Sequence, residues 1–277
     1  MSFFNKFNDT EKINLFLGDF LVRHMGYPTR TDVSKLLMKE MKENIKGYIK
    51  DENSLFQVSQ IYLDGVISSR SSLLKKIKNL YETNRETRDE LLKVFSDSNK
   101  INAVFSTNYD VVLDNINSNK VVKLLPTDEM VREIKEDEVK CYKLLGDIEK
   151  YNNIFVSVQD FRKLKVLDFY KMFFNNLKKD LERYPTVILG LNLNDVDFLD
   201  ILEFLLSEIK VKDTLYAVSN SNVLKTKTVE RLNGMGVKLL PHSEEDFFKE
   251  LRGFTNPLDQ DIIDSEKEVY IGKKLFR

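Results

Sequence analysis

Short apolar runs separated by helical patterns are the feature that most restricts the fold of this chain. Eight runs rich in Val, Ile and Phe have the length of buried strands. They are Asn14–Gly18, Ile101–Thr107, Val121–Leu125, Val139–Leu145, Ile154–Val158, Thr186–Leu191, Thr214–Ser219 and Val237–Pro241. Several runs lack the polar alternation of a half-exposed strand, which is typical of parallel strands covered on both faces.

Helical patterns occupy the segments between these runs. Apolar residues recur three or four positions apart over Phe161–Tyr184 and again over Asp195–Lys210. Asp195 is the predicted N-cap of the second helix. Strands that alternate with helices in this way predict an α/β fold, with a doubly wound, mostly parallel, Rossmann-like sheet.

The segment 29–99 departs from this alternation. It is rich in Lys, Glu and Leu and contains no clear strand-like run, although it lies between the first two predicted strands. We therefore predict a Rossmann-like core over residues 1–28 and 100–255 and a helical insertion lobe over residues 29–99. Residues 256–277 form a predicted C-terminal tail.

Composition excludes several classes of protein and site. The single cysteine, Cys141, rules out an internal disulfide and a four-cysteine zinc site, and His24 and His242 are the only histidines. The 43 basic and 44 acidic residues give no net basic excess for nucleic-acid binding. No apolar run approaches the ~20 residues of a membrane helix. These features favour a cytoplasmic protein. They predict that it has no zinc site, no other metal site and no membrane anchor.

Ligands of open α/β sheets bind at the carboxyl ends of the strands, so four segments there are the candidate site. They are Leu15–Phe20 with the following Gly26-Tyr27-Pro28, Phe105–Asp110, Lys143–Asp147 and Gly190–Phe198. Each segment alone also has a local explanation, because Asn, Asp and Gly favour turns and helix caps. Their combination and order are more specific.

In that combination the chain resembles the sirtuin family, and in particular bacterial sirtuin-like proteins of antiphage defence. The family pattern is a G-A-G-x-S loop followed by T-T-N-Y-D, K-L-H-G-D and G-x-S-x-x-D-x-D-F, and the resemblance spans roughly Leu15 to Leu251. It implies NAD as the cofactor if the family activity is retained. It also implies catalytic roles for Asn108 and Asp110 and cofactor-binding roles for Gly18, Thr107, Gly190, Asn192 and Asp195.

The departures from the family pattern lie in the segments that bind the cofactor and supply the general base in the family. In the first loop, Asp19, Phe20 and Val22 replace the alanine, the second glycine and the serine. Phe20 is expected to place its ring at or near the space of a dinucleotide phosphate, and Asp19 to add negative charge there. Leu145 stands at the family's general-base histidine, and loss of a general base typically costs ~10²–10⁴-fold in rate.

Three functions remain open at the level of sequence. The first is a catalytically inactive sirtuin-like module that acts as a binding or scaffold subunit with a protein partner or a second copy, in antiphage defence. The second is an NAD hydrolase that uses Asn108 and Asp110, and the third is a sensor that binds ADP-ribose without hydrolysing it. His24 and His242 are predicted to lie at the surface, and Cys141 in the core.

Overall fold

A parallel sheet of seven strands forms the centre of the protein. The computed structural model describes residues 3–7, 12–67, 69–82, 92, 94–95, 99–115, 120–128, 133–207, 209, 214–219 and 224–256. The strands are β1 (Ile13–Leu17), β2 (Ile101–Ser106), β3 (Val121–Leu124), β4 (Val139–Lys143), β5 (Thr186–Leu189), β6 (Leu215–Val218) and β7 (Val237–Leu240). Their spatial order is β3-β4-β2-β1-β5-β6-β7, and each neighbouring pair is parallel.

The order of the strands reverses at β1. The chain builds β2, β3 and β4 on one side of β1 and then returns to place β5, β6 and β7 on the other. This is the doubly wound arrangement, and its switch point lies between β1 and β5. The predicted α/β Rossmann-like fold is therefore confirmed.

Ten α-helices lie among the described residues. They are α1 (Asp19–His24), α2 (Arg30–Lys39), α3 (Glu43–Lys46), α4 (Leu55–Gly65), α5 (Arg70–Tyr81), α6 (Val158–Val166), α7 (Lys171–Arg183), α8 (Val196–Leu206), α9 (Thr226–Gly234) and α10 (Glu244–Thr255). In that part of the chain, every helix is too short or too polar to cross a bilayer.

Two of the predicted elements are wrong in detail. Ile154–Val158 is not a strand, because α6 begins at Val158 behind a capping box in which Ser157 and Asp160 bond each other's backbone N–H groups. The helix predicted over Phe161–Tyr184 is instead two helices, α6 and α7. Leu167 between them adopts extended backbone angles, and a short 3-10 turn follows it.

The strands are apolar on both faces because each face carries its own hydrophobic cluster. Phe16 of β1 and Phe105 of β2 belong to one cluster. Their neighbours in sequence, Leu15, Leu17 and Val104, belong to the other. Side chains alternate between the faces of a strand, so a sheet covered on both sides needs continuous apolar runs.

The segment predicted as a helical insertion contains α2 to α5. Val33, Leu37, Tyr62 and Leu73 from these helices belong to the same hydrophobic cluster as Phe16 of β1. The helices thus pack against the sheet through a shared core, while the boundaries of a separate lobe stay a prediction. Apart from Asn256, the predicted tail lies outside the described residues.

A buried ion pair attaches this helical segment to the rest of the fold. Arg30, the first residue of α2, donates to Asp197 of α8 at 2.7 Å, and both side chains are almost fully buried. The same carboxylate accepts hydrogen bonds from the Ser54 hydroxyl and the Phe56 backbone N–H at the start of α4. One carboxylate therefore connects three helices that are distant in sequence.

We expect Asp197→Ala to lower the free energy of unfolding by about 3–5 kcal/mol, because it leaves the Arg30 charge buried and unpaired. Asp200→Ala is the matched control on the same helix, since Asp200 pairs with Arg231 at the surface. Loss of an exposed pair should cost less than ~1 kcal/mol. Urea unfolding of both variants tests this, and equal losses would contradict the role given to Asp197.

Candidate functional site

A cavity of about 580 Å3 lies at the carboxyl ends of β1, β5, β6 and β7. Asp19 follows β1, Asn192 follows β5, Ser219 follows β6 and His242 follows β7, and all four line it. The volume falls within the range of small-molecule sites, and the position beside the switch point is the usual one for ligands of such sheets. This cavity is the candidate functional site.

The cavity is lined by charged residues, most of them acidic, and by four apolar side chains. Its four carboxylates outnumber its two cationic groups, Arg23 and Lys35; the carboxylates belong to Asp19, Asp32, Glu244 and Glu245. Arg23 donates to Glu244 at 2.6 Å, so one of the cations is already paired. The apolar side chains are those of Leu191, Leu193, Val218 and Leu224.

Two glycines bring the turns after β1 and β5 into contact. The Gly18 N–H donates to the Leu189 carbonyl at 2.9 Å, and the Asp19 N–H donates to the Gly190 carbonyl at 2.6 Å. A Cβ on Gly18 would overlap the Gly190 carbonyl oxygen and lie 2.5 Å from Leu191 Cγ. Gly190 itself has a φ of +74°, a conformation that L side chains rarely adopt.

This contact occupies the start of α1. A helix N-terminus binds phosphate through backbone N–H groups that have no partner within the helix. Here the Asp19 N–H is bonded to Gly190, and the Asp19 carboxylate places a negative charge at the same point. These residues do not fit the diphosphate of a dinucleotide at the β1–α1 turn.

The ring of Phe20 points toward α10. The side chain is buried in a hydrophobic cluster, with its ring 5.1 Å from that of Phe248 in α10 and 4.5 Å from the ring of His24. The expectation that this ring lies at or near the phosphate space stays a prediction. Val22 is also buried.

The predicted catalytic residues follow β2, and each is held in a structural hydrogen bond. The Asn108 Nδ2 donates to the Gly18 carbonyl at 2.9 Å, and Asp110 Oδ1 accepts from the Val112 N–H at 2.9 Å. Asn108, Asp110 and the neighbouring Thr107 are all buried. None of the three lines the cavity, although Asn108 bonds Gly18, the residue before Asp19 of the lining.

Leu145 lies in the hydrophobic core with no exposed surface. Its carbonyl accepts a hydrogen bond from the Phe155 N–H at 2.9 Å, and Asp147 two residues later caps a short 3-10 helix. The position therefore offers an isobutyl group packed among other apolar side chains. It can neither accept nor donate a proton.

The remaining predicted cofactor-binding residues surround the turn after β5. Asn192 lines the cavity, and its side-chain oxygen accepts from the Asn194 N–H at 3.2 Å. Asp195 is the N-cap of α8, as predicted, and accepts from the Asp197 N–H at 2.9 Å. Burial raises the pKa of Asp195 to about 7, and Arg30 opposes this shift.

Asp19 has the most unusual electrostatic environment of the cavity residues. Burial raises its pKa to about 6, against the opposing attraction of Arg23 and Arg30. Asp110 and Asp32 add to the rise by repulsion. No hydrogen bond to the Asp19 carboxylate comes from the described residues. The half-buried side chain thus lines the cavity, and its carboxylate has no hydrogen-bond donor from that part of the chain.

The two histidines and the cysteine differ in their surroundings. His24 is half-buried, with its Nδ1 2.7 Å from the Phe20 carbonyl oxygen. The sequence predicts an exposed turn at His242, but this side chain is half-buried and lines the cavity. Cys141 lies in the core as predicted, and burial raises the pKa of its thiol to about 12. A protonated thiol is a poor nucleophile.

Arg30 is the residue near the site that the sequence reasoning missed. Its guanidinium donates to the Tyr109 hydroxyl at 3.1 Å and lies 4.8 Å from the centre of the Phe56 ring. The signal that could have located it is the capping box formed by Thr29 and Asp32, which places Arg30 at the first position of a helix. The sequence does not reveal its partner.

A second group of carboxylates lies away from this cavity. Oxygen atoms of Asp114, Asp147 and Glu149 come within 4.8 Å of one another. The Lys123 ammonium forms ion pairs with all three, at 3.2 Å from Asp147 and 2.9 Å from Glu149. The chain itself therefore supplies the cation for this group.

Comparison with known proteins gives one family. A family model described as SIR2-like domain matches residues 102–240, which is half of the chain. The match runs from β2 to the end of β7 and includes the segments around Asn108, Leu145 and Gly190. No curated protein matches the chain.

Gly18→Ala should lower the free energy of unfolding by at least ~2 kcal/mol, because its Cβ would overlap the Gly190 backbone. Gly234→Ala is the matched control, since a Cβ at the end of α9 would meet nothing within 4 Å. That substitution should be neutral or stabilise by up to ~1 kcal/mol. Thermal unfolding of the two variants checks the contact between the turns, and a Gly18→Ala protein as stable as Gly234→Ala would contradict it.

Asp19→Asn should become more stable than the parent protein as the pH rises. The unfolded chain ionises Asp19 near ~3.9, whereas the native carboxyl ionises at about 6, so ionisation disfavours folding across that interval. Below pH 4 the two proteins should have similar free energies of unfolding. At pH 7.5 we expect the free energy of unfolding of the variant to exceed that of the parent protein by roughly 1–2 kcal/mol. Urea titrations between pH 4 and 8 measure the difference in free energy of unfolding between the two proteins. A difference that does not change with pH would contradict the raised pKa of Asp19 in the native protein.

Proposed function

The chain belongs to the SIR2-like domain family, and from the geometry of its site we propose that it is a catalytically inactive member of that family. The observation that carries this proposal is Leu145, which occupies the position of the general base and is fully buried among apolar side chains. A proton acceptor must come within hydrogen-bond reach of the reacting group, and a leucine in the core supplies none.

The hydrogen bonds of the Thr107–Asp110 segment support the same proposal. A catalytic amide must direct its donor or acceptor toward the substrate, but the Asn108 Nδ2 donates to Gly18 and the Asp110 carboxylate caps the following turn. In this arrangement the two residues stabilise the junction between β1 and β2. Their retention is therefore compatible with a structural role.

The function that remains for such a module is binding. A cavity of about 580 Å3 at the carboxyl edge of the sheet provides a place for a ligand even without catalysis. We propose that the protein acts in the cytoplasm as a binding or scaffold subunit, together with a protein partner or a second copy. The resemblance to defence-associated relatives extends this proposal to antiphage defence.

Incubation of the purified chain with NAD tests the absence of catalysis directly. Nicotinamide release, measured by liquid chromatography, should be no faster than in the same reaction with the Asn108→Ala variant. The reason is that Asn108 and Leu145 together leave no group to activate water at a scissile bond.

The Asn108→Ala variant is the matched control for contaminating hydrolases, since both proteins pass through the same purification. Circular dichroism of the two proteins establishes that they are equally folded. Nicotinamide release by the parent chain that Asn108→Ala abolishes would overturn the proposal and support an NAD hydrolase. Equal release by both would identify a contaminant and leave the chain itself without activity.

A further inference from the structure

We infer that the cavity binds a small organic cation, one that carries a guanidinium or primary ammonium group on an alkyl chain, in place of an anionic nucleotide. This inference rests on the proposed function, because it identifies the ligand class of the cavity that an inactive module retains. It depends on the charges of the cavity, the unmatched carboxylate of Asp19 and the apolar residues of the lining.

Asp19 is the proposed anchor for the cationic group. It lies at the first position of α1, lines the cavity and is half-buried. No described residue donates a hydrogen bond to its carboxylate, and Arg23, the cation on the same helix, donates to Glu244 instead. The Asp19 carboxylate is open to a ligand in the cavity, and a guanidinium or ammonium group would supply charge-assisted hydrogen bonds to it.

The other charged residues around the cavity also favour a cationic ligand. Glu244 and Glu245 begin α10, and Asp32 lies in the first turn of α2. Lys35 and the paired Arg23 are the opposing cations of the wall. An excess of carboxylates in a cleft concentrates cations and repels a diphosphate, which carries negative charge at neutral pH.

The apolar residues of the lining indicate that the cationic group is attached to an alkyl chain. Leu191, Leu193, Val218 and Leu224 give the cavity a surface against which methylene groups can pack. Alkyl chains that end in a charged group bury their stems on apolar surface while the charged end reaches polar partners. Guanidinoalkanes and polyamines have this combination of features.

Isothermal titration of the full chain with agmatine tests the inference. Agmatine carries a guanidinium and a primary ammonium on a four-carbon stem. Its matched ligand is N-butylurea, in which an uncharged urea replaces the guanidinium on the four-carbon stem and the ammonium is absent. We expect agmatine to bind at least tenfold more tightly than N-butylurea. ADP-ribose and inorganic phosphate should give no measurable binding.

Asp19→Asn is the informative variant, because it removes the charge and keeps the size of the side chain. We expect it to weaken agmatine binding at least tenfold. Asp168→Asn removes a carboxylate that is exposed on the surface outside the cavity and should change the affinity less than twofold. This control separates binding in the cavity from general attraction to an acidic protein.

Several outcomes would overturn the inference. Equal affinity for agmatine and N-butylurea would do so without any variant, even if Asp19→Asn failed to fold. Equal weakening by both substitutions would indicate non-specific attraction. Binding of ADP-ribose that agmatine displaces would show that the cavity accepts anions. Each of these results concerns the ligand alone, whereas the proposed inactivity fails only through nicotinamide release.

Discussion

The contact between the turns after β1 and β5 is the constraint on which the rest of the site depends. Gly18 and Gly190 have no side chains, so the two turns approach closely enough for the Asp19 N–H to reach the Gly190 carbonyl. That contact lies at the switch point of the sheet, where an open crevice would hold a dinucleotide. The cavity lies beside this contact, at the carboxyl ends of β1, β5, β6 and β7.

The same contact organises the buried polar residues on both sides of β1. Asn108 donates to the carbonyl of Gly18, so the segment after β2 is attached to the turn that meets β5. On the other side, Asp195 caps α8, and Asp197 two residues later holds Arg30 of α2. Residues that resemble a catalytic set in the sequence thus act as connections between strands and helices. A buried polar group needs a partner, and the backbone nearby provides one.

Much of the fold could be predicted from the sequence, because strand cores and helix caps are local signals. Seven of the eight predicted strands are present within a few residues, and Asp195 caps its helix. Ile154–Val158 was indistinguishable from a strand by its apolar run alone, since a buried segment before a helix has the same composition. The capping box of Ser157 and Asp160 was the signal that would have corrected it.

Less of the candidate site could be predicted, because a site depends on the direction of side chains from distant segments. The sequence determined by itself that the chain alternates strands and helices, that it contains sirtuin-like motifs, and that Leu145 cannot transfer a proton. Only the tertiary structure decided that Phe20 packs against α10, that Asn108 bonds Gly18, and that Arg30 pairs with Asp197. The physical reason is that chemical identity belongs to each residue alone, whereas burial, hydrogen-bond partners and charge environment arise only when remote segments meet.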